Sequence, residues 1–154
     1  MTMKKIFLIF LLLGSVVLPG CGDYEDEAPR VVWTSPSAGT QDFLGKEILV
    51  SFNMEMQAES LTLSTVYVKN ESTNAVWPLA AAEPDTDCQI TISSVAPGVG
   101  LEANINQTFL YEIDDACLLT PASNLTLFVS QNVRSKTGQT LEAPYSVQFT
   151  TAAN

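Results

Sequence analysis

From Arg30 to the C-terminus, apolar residues recur at every second position in short runs separated by Pro, Gly, Asn and Ser. That is the period of strands with one face buried. Glu47–Phe52 shows it most cleanly, with Ile48, Val50 and Phe52 on one face and Glu47, Leu49 and Ser51 on the other. An earlier strand is expected at Val31–Thr34, stopped by Ser35-Pro36 and the turn-prone Ser37-Ala38-Gly39. Met54–Ser60 has mixed polarity and suits one short helical turn. The pattern from Leu63 to Lys69 predicts a third strand with Val66 and Val68 inside, followed by a turn at Asn70–Asn74. Val76-Trp77-Pro78-Leu79 is short and limited by its proline, which suits a sheet edge. Further on, Leu125–Val129 points Leu125, Leu127 and Val129 inward, Lys136-Thr137-Gly138-Gln139 is a turn, and Tyr145–Thr150 points Tyr145, Val147 and Phe149 inward. Seven or eight short strands without a convincing amphipathic helix predict an all-β fold, an antiparallel sandwich.

Residues 88 to 117 carry a pairing argument. Cys88 to Ile92 alternates, Pro97-Gly98-Val99-Gly100 is a turn, and Phe109 to Ile113 alternates again. If Cys88 lies opposite Cys117 in an antiparallel pair, Ile92 falls opposite Ile113 and the turn sits at the centre of the hairpin. Cys88, Ile90 and Ile92 then share a face with Phe109, Tyr111 and Ile113.

The first residues follow a different rule. Met1–Lys5 is short and basic, Ile6–Val17 is a continuous apolar run, and small residues lead to Cys21. This order is that of a secretory signal. The run is short for a bilayer, where about 20 residues are needed; an uncleaved membrane anchor is the alternative. Leu18-Pro19-Gly20-Cys21 resembles the lipobox of bacterial lipoproteins, with Pro19 departing from the usual small residue at that place. The resemblance implies a lipid (diacylglyceryl with an added acyl chain such as palmitate) on Cys21, cleavage before it, and membrane residence through two or more chains at about 0.8 kcal/mol per buried methylene. Gly22 rather than Asp after the cysteine implies the outer membrane by resemblance to enteric sorting. The division expected is therefore 1–20 as signal peptide, 21–29 as lipidated cysteine and acidic linker, and 30–154 as one domain. The linker's Asp23, Glu25, Asp26 and Glu27 make a solvated, self-repelling spacer; calcium binding is the alternative. In an exported chain a Cys88–Cys117 disulfide is the default, and with Cys21 lipidated no odd thiol remains.

Over Pro29 to Thr151 the chain resembles the bacterial Ig-like domain first described in S-layer proteins. Four stretches carry this: Val31–Gly39 as an opening strand into a Ser-Pro-x-x-Gly turn, Ile48–Met56 as a strand ending in Phe before a Met-bearing segment, Leu119–Val133 as a Leu-Pro lead into an alternating strand, and Gly138–Thr151 as a Gly turn and closing strand. Leu125 stands where an aromatic is common, and the Ala116–Ser123 region is longer than the usual turn. The resemblance implies an immunoglobulin-like β-sandwich and, from family usage, spacer or adhesive roles.

Charge and chemistry narrow the function. The 154 residues carry a net charge of −10; removing the leader with Lys4 and Lys5 leaves five Lys and Arg against seventeen Asp and Glu, or −12. No basic footprint exists for nucleic acid or for anionic head groups. The chain has no histidine, so Ser-His-Asp and Cys-His chemistry and the common zinc sites are out of reach. Gly45-Lys46 lacks the frame of a phosphate loop. Asp85, Asp87, Asp114 and Asp115 are carboxylate candidates placed near strand ends, where solvated turn acids are common; catalysis or calcium binding there are the alternatives. Trp33 and Trp77 are candidate stacking platforms for sugars, against ordinary packing. Asn70, Asn106 and Asn124 head N-x-Ser/Thr triplets read as chance. The expectation is a non-enzymatic, lipid-anchored cell-envelope module with a structural or protein-interaction role and no cofactor or metal. The alternative is a glycan-binding sandwich.

Overall fold

The computed structural model describes residues 27–44, 46–62, 64–78, 90–95, 107–113 and 119–153. Among the described residues, eight strands run in chain order: β1 (Val31–Ser35), β2 (Glu47–Phe52), β3 (Val66–Asn70), β4 (Val76–Pro78), β5 (Ile90–Val95), β6 (Gln107–Ile113), β7 (Asn124–Val129) and β8 (Tyr145–Thr150). One 3-10 turn at Ala58–Ser60 lies in the segment of mixed polarity after β2. The strands form two four-stranded sheets, in the orders β1-β2-β6-β5 and β4-β3-β7-β8. Every neighbouring pair is antiparallel. Consecutive strands pair within one sheet, and the chain then crosses to the other. The long-range pairings β2–β6 and β3–β7 join these units into sheets.

Alternation builds the core between the sheets. Ile48, Val50 and Phe52 of β2 meet Phe109, Tyr111 and Ile113 of β6 on one side. Val66 and Val68 of β3, Leu125, Leu127 and Val129 of β7, and Val147 and Phe149 of β8 supply the other. Each such side chain contributes about 1.5–3 kcal/mol on leaving water. Phe52 and Phe109 meet edge to face with ring centroids 6.0 Å apart, the arrangement their quadrupoles favour. Met56 is also buried, and its N–H donates to Gln107 Oε1 at 2.6 Å. That bond folds the segment after β2 back over the end of β6.

Several boundaries differ from the sequence expectation for local reasons. β3 starts at Val66; Leu63 lies outside the described residues, and ahead of the strand Thr62 N–H donates to Thr65 Oγ1 (2.6 Å) and Thr65 N–H to the Thr62 carbonyl (2.9 Å). β1 extends to Ser35, paired with Leu49, and carries an irregularity between Val31 and Trp33. The β5–β6 register is a correction. Ile90, not Ile92, lies opposite Ile113, and Ile92 lies opposite Tyr111. A slip of two residues leaves every side chain on its expected face, so the hydrophobic pattern cannot detect it. Cys88 and Cys117 lie outside the described residues, as do Cys21 and the whole leader. The expected disulfide and lipidation are therefore not seen directly.

The N-terminal end of the sandwich is tied down. Arg30 N–H donates to Asn53 Oδ1 at 2.8 Å, Asn53 Nδ2 donates to the Ala28 carbonyl at 3.2 Å, and Glu142 N–H donates to the Pro29 carbonyl at 3.3 Å. Ala28 and Pro29, expected as linker, are thus bonded to the domain. The open edge of β8 is covered in part by residues 39–43. Gly39 N–H donates to the Gln148 carbonyl, Phe43 N–H to the Thr150 carbonyl and Thr150 N–H to the Thr40 carbonyl, all at 2.9 Å. Phe43 packs edge to face on Phe149 at 5.3 Å. Gly39 has φ +74, a conformation at which a side chain would be strained.

Candidate functional site

The inward phase of β2, β3, β6, β7 and β8 is spent on the core, so recognition falls to the outward phase. On the outer face of β4-β3-β7-β8 that phase is not uniformly polar. Tyr67, between core residues Val66 and Val68, is paired with Phe128 of β7. Their rings stack with centroids 5.2 Å apart and planes 19° from parallel, and both side chains stay half-exposed. Beside Phe128 the register places Ser146, which is exposed.

One row along the same face, Lys69, Thr126 and Gln148 lie side by side across β3, β7 and β8. Thr126 Oγ1 donates to Glu71 Oε1 at 2.6 Å, and Lys69 Nζ lies 3.7 Å from Glu71 Oε2. The carboxylate is thereby held in one orientation. The ion pair is solvated and contributes little stability.

Beyond that row, the face ends in a surface cavity of about 350 Å³ between the turn after β3, the start of β7, the end of β8 and the 39–41 segment. Gln41, Glu71, Asn124, Gln148 and the hydroxyl-bearing Thr40 and Thr150 line it. Among the described residues, the side-chain amides of Gln41, Asn124 and Gln148 have no internal hydrogen-bond partner, and all three residues are exposed. The volume is within the range of small-molecule sites.

The outer face of β1-β2-β6-β5 has another character. Trp33, Ser51, Thr108 and Val95 form one cross-strand row, and Ser35, Leu49, Leu110 and Ser93 the next. Trp33, Leu49, Leu110 and Val95 are half-buried. Ser51 and Thr108, between them, are only 0% and 2% exposed and satisfy each other through a 2.8 Å hydroxyl–hydroxyl bond.

The structure separates the two tryptophans singled out from sequence. Trp33 lies in β1 of the first sheet, and the backbone of Trp77 lies in β4 of the second, opposite Val68. Sequence reasoning missed Tyr67 and Phe128, although a signal was present: each is an aromatic on the polar phase of its strand. Asp85, Asp87, Asp114, Asp115 and Asn106 lie outside the described residues. Asn70 is buried, and its Oδ1 accepts from Ser72 N–H (2.9 Å) and Thr73 N–H (3.0 Å), which gives it a role in the turn; Asn124 is exposed at the cavity. Among the described residues, no group of three or more His, Cys, Asp or Glu could hold a metal ion, and no helix is long and apolar enough to cross a membrane.

Comparison with known proteins bears on the fold. Among curated proteins, none matches the chain significantly. Among solved structures, the N-terminal part of the bacterial S-layer protein SbsC is similar at 13% identity and a TM-score of 0.46, covering 83% of this chain and 24% of that one. A structure of SbsC domains 1–6 is similar at 16% identity and a TM-score of 0.45, covering 84% of this chain and 14% of that one. The chain thus spans a quarter or less of those structures. The sequence profile of the bacterial Ig-like domain matches residues 25–151, most of the chain and every strand described above, so the chain belongs to the bacterial Ig-like domain family.

Proposed function

We propose that this protein is a lipid-anchored module of the bacterial cell envelope that binds a protein partner through the outer face of β1-β2-β6-β5. Membership of the bacterial Ig-like family and the Leu18–Cys21 lipobox after an apolar leader support the envelope address, with Cys21 as the lipidated residue and the outer membrane as its site. The observation that carries the binding role is the half-buried Trp33, Leu49 and Leu110 on a face where alternation otherwise places polar residues. Apolar patches rimmed by polar residues mark protein contacts. Glu47 and Glu112 pair at one end of this face, so that end of the rim is acidic and favours a partner with basic residues beside an apolar centre.

Fractionation and crosslinking test this reading together. Cys21→Ala should release the protein from membranes, and retention would overturn the lipid anchor. Crosslinking in intact cells should capture one stoichiometric envelope partner, lost in Leu110→Asp with the fold intact by circular dichroism. A monomer with no partner would overturn the interaction role.

A further inference from the structure

We propose that the outer face of β4-β3-β7-β8 is a second binding site, for a neutral oligosaccharide, running from the Tyr67–Phe128 pair to the cavity beside Gln148. It goes beyond the protein-partner reading, which concerns the opposite sheet, and neither depends on the other.

The lining selects the ligand class by elimination and by fit. Anionic ligands are disfavoured, because the fixed charges are the Glu71 carboxylate and a Lys69 already opposite it at 3.7 Å, in a strongly acidic chain. A metal ion would find one carboxylate where several oxygen ligands are needed. An apolar ligand would bury three primary amides without hydrogen bonds, which is costly. A polyhydroxylated, uncharged ligand uses all of these groups. Its hydroxyls donate to the oxygens of Glu71, Gln41, Asn124 and Gln148, and accept from the amide NH₂ groups. Those amides have no internal partner among the described residues, so they need not break a bond to engage.

The aromatic pair suits the rest of such a ligand. Sugar rings present apolar C–H faces, and an aromatic side chain offers a large apolar surface at low entropy cost. Phe128 has one face on Tyr67 and the small Ser146 beside it in the sheet, which leaves room against the ring. From Phe128 to Asn124 the strand advances about 13 Å at ~3.3 Å per residue, the length of a short oligosaccharide. Glu71 is held from two sides, by Thr126 and Lys69, so its acceptor oxygens are positioned beforehand, which lowers the entropy lost on binding.

The test is an NMR titration of the ¹⁵N-labelled full chain in detergent micelles with cellotriose, maltotriose and chitotriose. Trigalacturonate and a lysine-rich peptide serve as charged controls. At least one neutral trisaccharide should give saturable shifts of the Gln41, Asn124 and Gln148 side-chain amides. Gln148→Ala and Phe128→Ala should each weaken binding by about tenfold, and Trp33→Ala should leave it unchanged. Gln148 is exposed, so its variant carries the test even if Phe128→Ala unfolds. Absence of shifts with all three sugars would overturn the proposal, as would shifts confined to the Trp33 face or tighter binding of either control at the Gln41, Asn124 and Gln148 amides. The protein-partner reading is tested separately, by crosslinking.

Discussion

Ser51 and Thr108 satisfy each other's hydroxyl across β2 and β6, at 2.8 Å and almost without solvent contact. Removing one partner leaves the other buried and unpaired, at a cost of about 1–3 kcal/mol. Ser51→Ala should lower stability by that amount in urea unfolding. Ser51→Ala with Thr108→Val should recover most of the loss, because no hydroxyl then remains. An additive double variant would show that the pair is not coupled.

Tyr111 presents the opposite case. Its side chain is fully buried in the core, in register with Ile48 of β2 and Ile92 of β5, and among the described residues its hydroxyl has no partner. Tyr111→Phe should therefore change stability by less than about 1 kcal/mol, or raise it. Burial also pushes the phenol well above its ordinary value. Tyrosine in the unfolded chain ionises near pH 10, whereas Tyr111 in the folded protein keeps its proton. The stability linked to it is complete below pH 10 and falls as pH rises further. The Phe variant should fall less steeply in thermal melts across the alkaline range.

Asn53 fastens the segment ahead of β1 through Arg30 N–H and the Ala28 carbonyl. Asn53→Ala should cost about 1–2 kcal/mol and open the chain near Ala28 to limited proteolysis. Unchanged cleavage would mean that the Pro29–Glu142 contact holds the segment alone.

Cys88 and Cys117 are proposed to be joined. Peptide mapping without reductant should find them in one fragment, and reduction should lower stability by about 3–4 kcal/mol. Two free thiols would remove the bridge.

The fold was legible where two signals agreed. Glu47–Phe52 and Tyr145–Thr150 combine strict alternation with flanking turns, and the strands β2 and β8 have those same bounds. Val66, Val68, Leu125, Leu127 and Val129 were all assigned inward and are all 0% exposed. The β5–β6 register was not legible, because a two-residue slip leaves the alternation unchanged. The candidate site was less legible still. Tyr67 and Phe128 become neighbours only through the β3–β7 pairing, which joins strands distant in the chain, and periodicity says nothing about which strands meet. Gln148 and Gln41 look like ordinary surface residues until the 39–43 segment lies along β8.

The Asn53 clasp also has a mechanical consequence. Lipidation at Cys21 would put the pull on the clasp through Gly22–Glu27, at most about 20 Å of chain at ~3.3–3.6 Å per residue. A pull between the membrane and a ligand held on the far sheet would load the clasp first. It would then strain the β1–β2 ladder. One asparagine would act as a fuse, yielding under tension while the sandwich stayed whole.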